Sequence, residues 1–212
     1  MKLEQSQLDY LYKRDKNYDK KYKIFELLID KIPHKLNLVL ELFGGVGIES
    51  YYLQQSKEIT NHISIDKDEN CNKLSQLLLP NVTRLNCNSF EYENKEYIDL
   101  LVCDGFFNKG VFNEMVDLIN KFEFNNLILT DTGVFSVRFH KDMTYEKYWS
   151  NLIKQLSEHG LYVSDVIYTV EFGMLLIKKE KQENVSVEKL DNSNLSKTWR
   201  SYIDKLNLRQ QN

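Results

Sequence analysis

Apolar residues along the first thirty positions follow a helical period. Tyr18, Tyr22, Phe25, Ile29 and Ile32 recur at intervals of four, three, four and three, which places them on one face of a helix. A helix over 5–32 is predicted, stopped by Pro33. The period then shortens. Leu36–Phe43 is a nearly continuous apolar run that ends in glycines and reads as a buried strand. Similar short runs follow at 62–66, 82–87, 98–104 and 126–131. Between them, helical patterns occupy 47–57, 68–79, 111–123 and 143–158. Alternating strands and helices predict βαβ units and a parallel sheet covered on both faces. Near the end the rhythm changes: Tyr162–Val170 and Met174–Lys179 are strand-like and only Glu171, Phe172 and Gly173 separate them. Three residues allow a hairpin but no parallel crossover, so the last strand is expected to run antiparallel. The expected organisation is a helical N-terminal extension over 1–35, one α/β domain over 36–180, and over 181–212 a polar linker with a short terminal helix carrying Trp199 and Tyr202.

Composition narrows the function classes. The 212 residues suit one core with a short accessory segment. A net charge of -3 argues against a protein that coats nucleic acid by bulk charge, though a local basic patch remains open. Three cysteines, Cys71, Cys87 and Cys103, form no CxxC pair, so neither structural zinc nor a disulfide framework is expected, and no metal site. Cys103 reads as a buried strand cysteine. No apolar run is long enough to span a bilayer and the first residues lack the apolar block of a signal peptide, so a cytoplasmic location without membrane contact is expected. Oligomeric state is left open.

The chemistry-bearing residues cluster at the expected strand ends. After the first strand, Glu41-Leu42-Phe43-Gly44-Gly45-Val46-Gly47 makes a glycine-rich turn into a helix, the place where parallel sheets bind nucleotide-like ligands. It is a poor dinucleotide fingerprint, because Ser50 stands where a third glycine would be. Asp66, followed by Lys67, ends the second strand, where a ribose would need a hydroxyl acceptor. Glu41 could instead cap the strand end, and Asp66 could be the N-cap of the next helix. Asn88 and Ser89 follow the third strand, and Cys103-Asp104-Gly105-Phe106-Phe107 closes the fourth.

Taken together, these motifs resemble the class I S-adenosylmethionine-dependent methyltransferases, over about residues 36–180. Their first motif runs acid-x-G/F-x-G-x-G, and Glu41, Phe43, Gly45 and Gly47 match it in register. The resemblance implies a Rossmann-like, seven-stranded sheet, mostly parallel with an antiparallel last strand and helices on both faces. It implies S-adenosylmethionine as cofactor, held by Glu41, Phe43, Gly44, Gly45, Gly47, Asp66, Lys67, Asn88, Ser89 and Asp104. The Phe43 variant is shared with methyltransferases of nucleic-acid bases, many of which carry Asp/Asn-Pro-Pro-Tyr/Phe after the fourth strand, with the acid on the target amino group and the ring on a flipped base. Asp104 and Phe107 match its ends as the expected catalytic residues, whereas Gly105 and Phe106 replace both prolines. RNA or DNA is thus the expected substrate. A small-molecule or protein methyltransferase, and a module of this fold that has lost catalysis, stay open, and Ser50 counts against a nicotinamide dehydrogenase. Two basic segments bear on substrate. Residues 10–23 hold six bases, two acids and four tyrosines, which suits either a nucleic acid or an amphipathic helix with a solvated charged face. Arg138-Phe139-His140-Lys141 follows the fifth strand at the ligand edge.

Overall fold

The computed structural model describes residues 3–107, 111–190 and 201–205, with the backbone alone at 14–19, 105–107, 135 and 136. Along the chain lie α1 (Gln5–Ile29), β1 (Lys35–Leu42), α2 (Ile48–Ser56), β2 (Glu58–Asp66), α3 (Glu69–Leu78), β3 (Thr83–Asn86) and β4 (Ile98–Phe107). Then come α4 (Phe112–Asn120), β5 (Phe124–Asp131), a 3-10 helix over Gly133–Phe139, α5 (Tyr145–Glu158), β6 (Tyr162–Tyr168), β7 (Gly173–Lys178) and β8 (Ser186–Lys189). Residues 201–205 are helical. The strands form one sheet in the order β3-β2-β1-β4-β5-β7-β6-β8. Pairings from β3 through β5 are parallel, and β7 runs antiparallel to both β5 and β6.

Strand parity explains how the core divides. Successive side chains leave a strand on opposite faces. Val39, Leu100, Val102 and Ile128 face a cluster built from α1, α2 and α3. Leu38, Leu40, Leu42, Leu101, Cys103, Leu127 and Leu129 face a second cluster with α4 and α5. The same parity carries Glu41, Asp104 and Thr130 toward the α1 side and Asp131 toward the α5 side, where Tyr148 donates to it at 2.7 Å. Cys103 is fully buried, as a strand cysteine.

Two expectations need correction. The sheet has eight strands, not seven, and its last strand is β8, which pairs parallel with β6 inside the segment read as a polar linker. All four β8 residues are exposed, so no apolar alternation marks it. The antiparallel strand is β7, last but one in sequence. Likewise β2 begins at Glu58, four residues before its apolar part, because Glu58–Asn61 contribute backbone pairing to β1 and almost no buried surface.

The N-terminal helix is built into the core. Leu11, Tyr22, Ile24, Phe25, Leu28 and Ile29 are buried in the cluster shared with the sheet. From the chain's other end, Ile203 is fully buried in the same cluster. Tyr202 stacks on Tyr51 with ring centroids 4.3 Å apart and donates to the Leu78 carbonyl at 2.7 Å. Trp199 lies outside the described residues. Among the described residues no helix is long and apolar enough to cross a membrane, and no cluster of three metal-binding side chains occurs. Because Phe25 is fully buried, Phe25→Ala should cost about 3–5 kcal/mol in urea unfolding. Val187→Ala, on half-exposed β8, should stay within about 0.5 kcal/mol.

Candidate functional site

The chain turns from β1 into α2 through three left-handed backbone positions: Phe43 at φ 60°, Gly45 at 49° and Gly47 at 82°. Gly44 donates its N–H to the Ile65 carbonyl at 2.9 Å, and Gly47 donates to the Gly44 carbonyl at 2.9 Å. The glycines differ in what surrounds them. A Cβ at Gly44 would overlap Ser64 Oγ, and one at Gly47 would overlap Arg84 Nη2 and Ser75 Oγ. At Gly45 no atom lies within 4 Å of an added Cβ, so the backbone there faces open space.

That space is a cavity of about 420 Å³ along the carboxyl ends of β1, β2, β4 and β5. Gly45, Asp66, Asp68, Cys71, Phe43 and Phe90 line one part of it, and Lys21, Asp104, Thr130, Thr132 and Phe172 line another. Asp66 accepts from the Gly45 N–H at 2.8 Å and from the Asp68 N–H at 2.8 Å, so it ties the turn to the end of β2. Asp66 is not the N-cap of α3. Asp68 is, accepting from the N–H groups of Asn70 and Cys71. Lys67 is exposed beside them, outside the cavity walls. Ser89 Oγ accepts from the Phe43 N–H at 3.3 Å, and the rings of Phe43 and Phe90 meet edge to face at 5.7 Å. Asn88 is turned back on its own loop, accepting from the Phe90 N–H and donating to Glu91. Phe107 pairs with Asp131 across the end of the sheet; its side chain lies outside the described residues.

Beneath the turn lies a second, fully buried polar group. Glu41 accepts from Ser50 Oγ, and its carboxylate lies 4.0 Å from Arg84 Nη1. Arg84 also donates to Ser64 Oγ, and Ser50 Oγ lies 3.3 Å from His62 Nε2. Ser50, the residue that spoils the dinucleotide fingerprint, is therefore the hydroxyl that serves Glu41. Burial pushes the Glu41 carboxyl up to about 7, with Arg84 opposing the shift, and burial pulls His62 down to about 3, so the imidazole stays neutral. Glu41 does not cap the strand. It holds the turn from below.

Asp104 is committed on both oxygens. One accepts from Thr130 Oγ1 at 2.8 Å, and the other lies 2.5 Å from Lys21 Nζ. Lys21 comes from α1, and its ammonium is also 2.7 Å from Glu49 at the start of α2. Burial opposes the Lys21 charge, but the two carboxylates outweigh it and hold its ammonium above the ordinary lysine range. Burial, with Glu49 adding to it, pushes Asp104 up to about 6. Nothing in the motifs pointed to Lys21 or Glu49, nor to Arg84. Lys21 did carry a signal: it stands three, four and seven residues before Ile24, Phe25 and Leu28, so it interrupts the buried stripe of α1. Three of the six bases of the lead-in, Lys20, Lys21 and Lys23, pair with acids of the chain itself. Lys20 pairs with Glu171 at 3.2 Å and Lys23 with Glu26 at 3.5 Å. Arg138, Phe139, His140 and Lys141 are exposed on the 3-10 helix and just beyond it; Phe139 is 71% exposed.

No family model matches the chain, and no curated protein does. Solved structures do. A protein of Pyrococcus horikoshii provisionally assigned as an RNA methyltransferase shares 13% identity at a TM-score of 0.57, over 76% of this chain and 82% of its own. An S-adenosylmethionine-dependent methyltransferase from Aquifex aeolicus shares 14% identity at 0.56, over 82% and 98%. The plantazolicin methyltransferase BpumL, solved with a substrate analogue and S-adenosylhomocysteine, shares 11% identity at 0.53, over 80% and 90%. The chain has the Rossmann-like fold of these methyltransferases.

Two outcomes follow for the turn. Gly47→Ala places a side chain on left-handed backbone and into Arg84, and should lower stability by more than Gly45→Ala, whose cost is the backbone term of about 1–2 kcal/mol; urea midpoints separate them. For Glu41, the folded carboxyl near 7 lies above its ordinary 4.5. Its contribution is complete below pH 4.5 and is lost as pH rises through 7, since the unfolded chain releases the proton first. Glu41→Gln should flatten that part of the stability–pH curve.

Proposed function

We propose that this protein is an S-adenosylmethionine-dependent methyltransferase acting on a nucleic-acid base. The observation that carries the cofactor reading is Gly45, whose backbone faces an open cavity and is tied to Asp66 at the neighbouring strand end. The cavity volume is that of a small-molecule site. Glycines at 44, 45 and 47 let a ligand approach the backbone. Asp66 would take ribose hydroxyls through its carboxylate, with Lys67 beside it. Phe43, Asn88 and Ser89 would border the adenine, and Asp104 the methionine part, with Glu41 supporting from below. When bound, the cofactor supplies a methyl group activated on a sulfonium. The chain's own contribution is then positioning and exclusion of water.

For the substrate, support comes from the exposed aromatic and basic run Arg138–Lys141, which begins six residues after Thr132 of the cavity wall, and from the half-exposed Phe90 ring that also lines the cavity. An exposed ring flanked by cations offers base stacking with phosphate contacts. Asp104 and Phe107 are the residues proposed to meet the target base. Because Lys21 and Thr130 occupy Asp104, accepting from a base amino group requires one of them to yield. A small-molecule substrate is the second reading, favoured by α1, which carries Lys21 into the site.

Incubation with labelled cofactor and separate pools of tRNA, rRNA and DNA tests the assignment. Label should enter one pool, and Phe139→Ala should cut kcat/KM for it about 10-fold while leaving cofactor affinity unchanged. Cofactor binding without label in any pool rules out the nucleic-acid substrate. Asp66→Ala should weaken cofactor binding by calorimetry at least about 10-fold.

A further inference from the structure

Glu41 is a poorly compensated acid directly beneath the cavity. Its side chain is fully buried, and one of its oxygens, Oε1, meets no hydrogen-bond donor among the described residues. The other oxygen takes the Ser50 hydroxyl and, at 4.0 Å, the Arg84 guanidinium. Arg84 is shared: it donates to Ser64 and faces Glu49, Asp66 and Cys71 as well as Glu41. Lys21, the other buried cation nearby, is held by Glu49 and Asp104. From β2, His62 is kept neutral by burial and brings no charge. From α2, Glu49 sets a second negative group against Glu41. A buried carboxyl with one bare oxygen and a share of one cation favours the neutral acid. That agrees with a carboxyl pushed up to about 7. The acid also lies one backbone layer from the cavity. A Cβ on Gly44 would sit 3.0 Å from Glu41 Oε2, and the next residue, Gly45, turns its backbone to the open space. A positive charge over the turn therefore acts on Glu41 through packed peptide, where charges interact more strongly than through water.

We propose that Glu41 couples cofactor binding to proton release. The free protein holds a proton on this buried carboxyl near neutral pH, and the carboxyl gives it up to solvent when the sulfonium charge of S-adenosylmethionine enters the cavity. This rests on the cofactor reading above. The carboxyl O–H is the one bond broken, and the buffer takes the proton. One negative charge then lies under the turn to match one positive charge above it. Once the methyl group has left, the sulfur is neutral and the carboxyl takes a proton back. Below pH 7 the free carboxyl carries a proton that binding must expel, and above pH 7 that proton is already gone. Affinity for the charged cofactor therefore rises as pH rises through 7, whereas affinity for S-adenosylhomocysteine, which lacks the sulfonium charge, changes little. The protein thus tells the methyl donor from its spent product by charge, in a pH-dependent way.

Calorimetry on the full chain at about pH 7, in PIPES and in imidazole buffer, counts the protons, because the two buffers differ in heat of ionisation. S-adenosylmethionine should release about 0.4 proton per molecule bound, and S-adenosylhomocysteine about 0.1 or less. From about pH 6 to about pH 8, affinity for S-adenosylmethionine relative to S-adenosylhomocysteine should rise about 5-fold. Glu41→Gln, whose side chain does not titrate, should remove most of both effects. Asp104, which borders the cavity and is pushed up to about 6, stays intact in that variant, so it accounts for any small release that remains. A wild type that releases no proton, or a Glu41→Gln variant that releases as much as the wild type, overturns the proposal. If circular dichroism shows that Glu41→Gln does not fold, Ser50→Ala decides. Without its hydroxyl donor the carboxyl holds its proton more firmly, so the midpoint of the pH-dependent preference should move up by at least about 0.5. An unmoved midpoint overturns the proposal. A wild type that binds neither nucleoside removes the cofactor reading itself, and the proposal with it.

Discussion

The geometry of the carboxyl edge depends on one guanidinium. Arg84 reaches from β3 under the β1–α2 turn, where it meets Ser64 and lies against Glu41 and Ser50. A charged side chain buried this deeply is tolerated only with partners, and its partners are the residues that support the turn from below. The same guanidinium leaves no room for a Cβ at Gly47. Packing below and openness above are thus two sides of one arrangement. The turn sits low on the sheet because glycine allows it, and the cavity exists because the turn sits low.

Strand parity distributes the chemistry. The parallel strands end at the same edge, and three of them present a polar residue on the α1 side of the sheet: Glu41 from β1, Asp104 from β4 and Thr130 from β5. The first is sealed beneath the turn, whereas the other two border the cavity. Asp131, one residue further, falls on the opposite face and serves the structure, accepting from the Gly133 and Val134 N–H groups at the start of the 3-10 helix. A shift of one residue separates a cavity wall from a structural cap.

The architecture was legible wherever burial is two-sided. Long apolar runs revealed β1, β4 and β5, and the three-residue gap at Glu171–Gly173 revealed the antiparallel β7. Elements that contribute backbone pairing but little buried surface were not legible: β8 and the first half of β2. For the site, residues inside a spaced motif were found, as Gly45 and Asp66 were. Lys21, Glu49 and Arg84 belong to no motif, because what recruits them is the third dimension. α1 brings Lys21 to Asp104 of β4, and β3 lies two strands from β1. Ser50 was read only as a departure from another fingerprint, since a hydroxyl's purpose is invisible until the carboxylate it serves is in place. The basic lead-in was ambiguous for a related reason, as cations directed to the chain's own acids and cations directed to a polyanion look alike in one dimension.

The two ends of the sheet have a consequence of their own. β3 and β8 are its outermost strands, each of four residues, with Arg84 in one and Glu188 and Lys189 in the other. An edge strand offers unpaired backbone groups to any other chain that can run alongside it. Edges this short provide few such groups, and the Glu188 and Lys189 charges would have to be brought against an incoming strand. By adding β8, the chain covers the longer, more apolar β6 with a strand that little else can extend, which is a form of protection against self-association through the sheet.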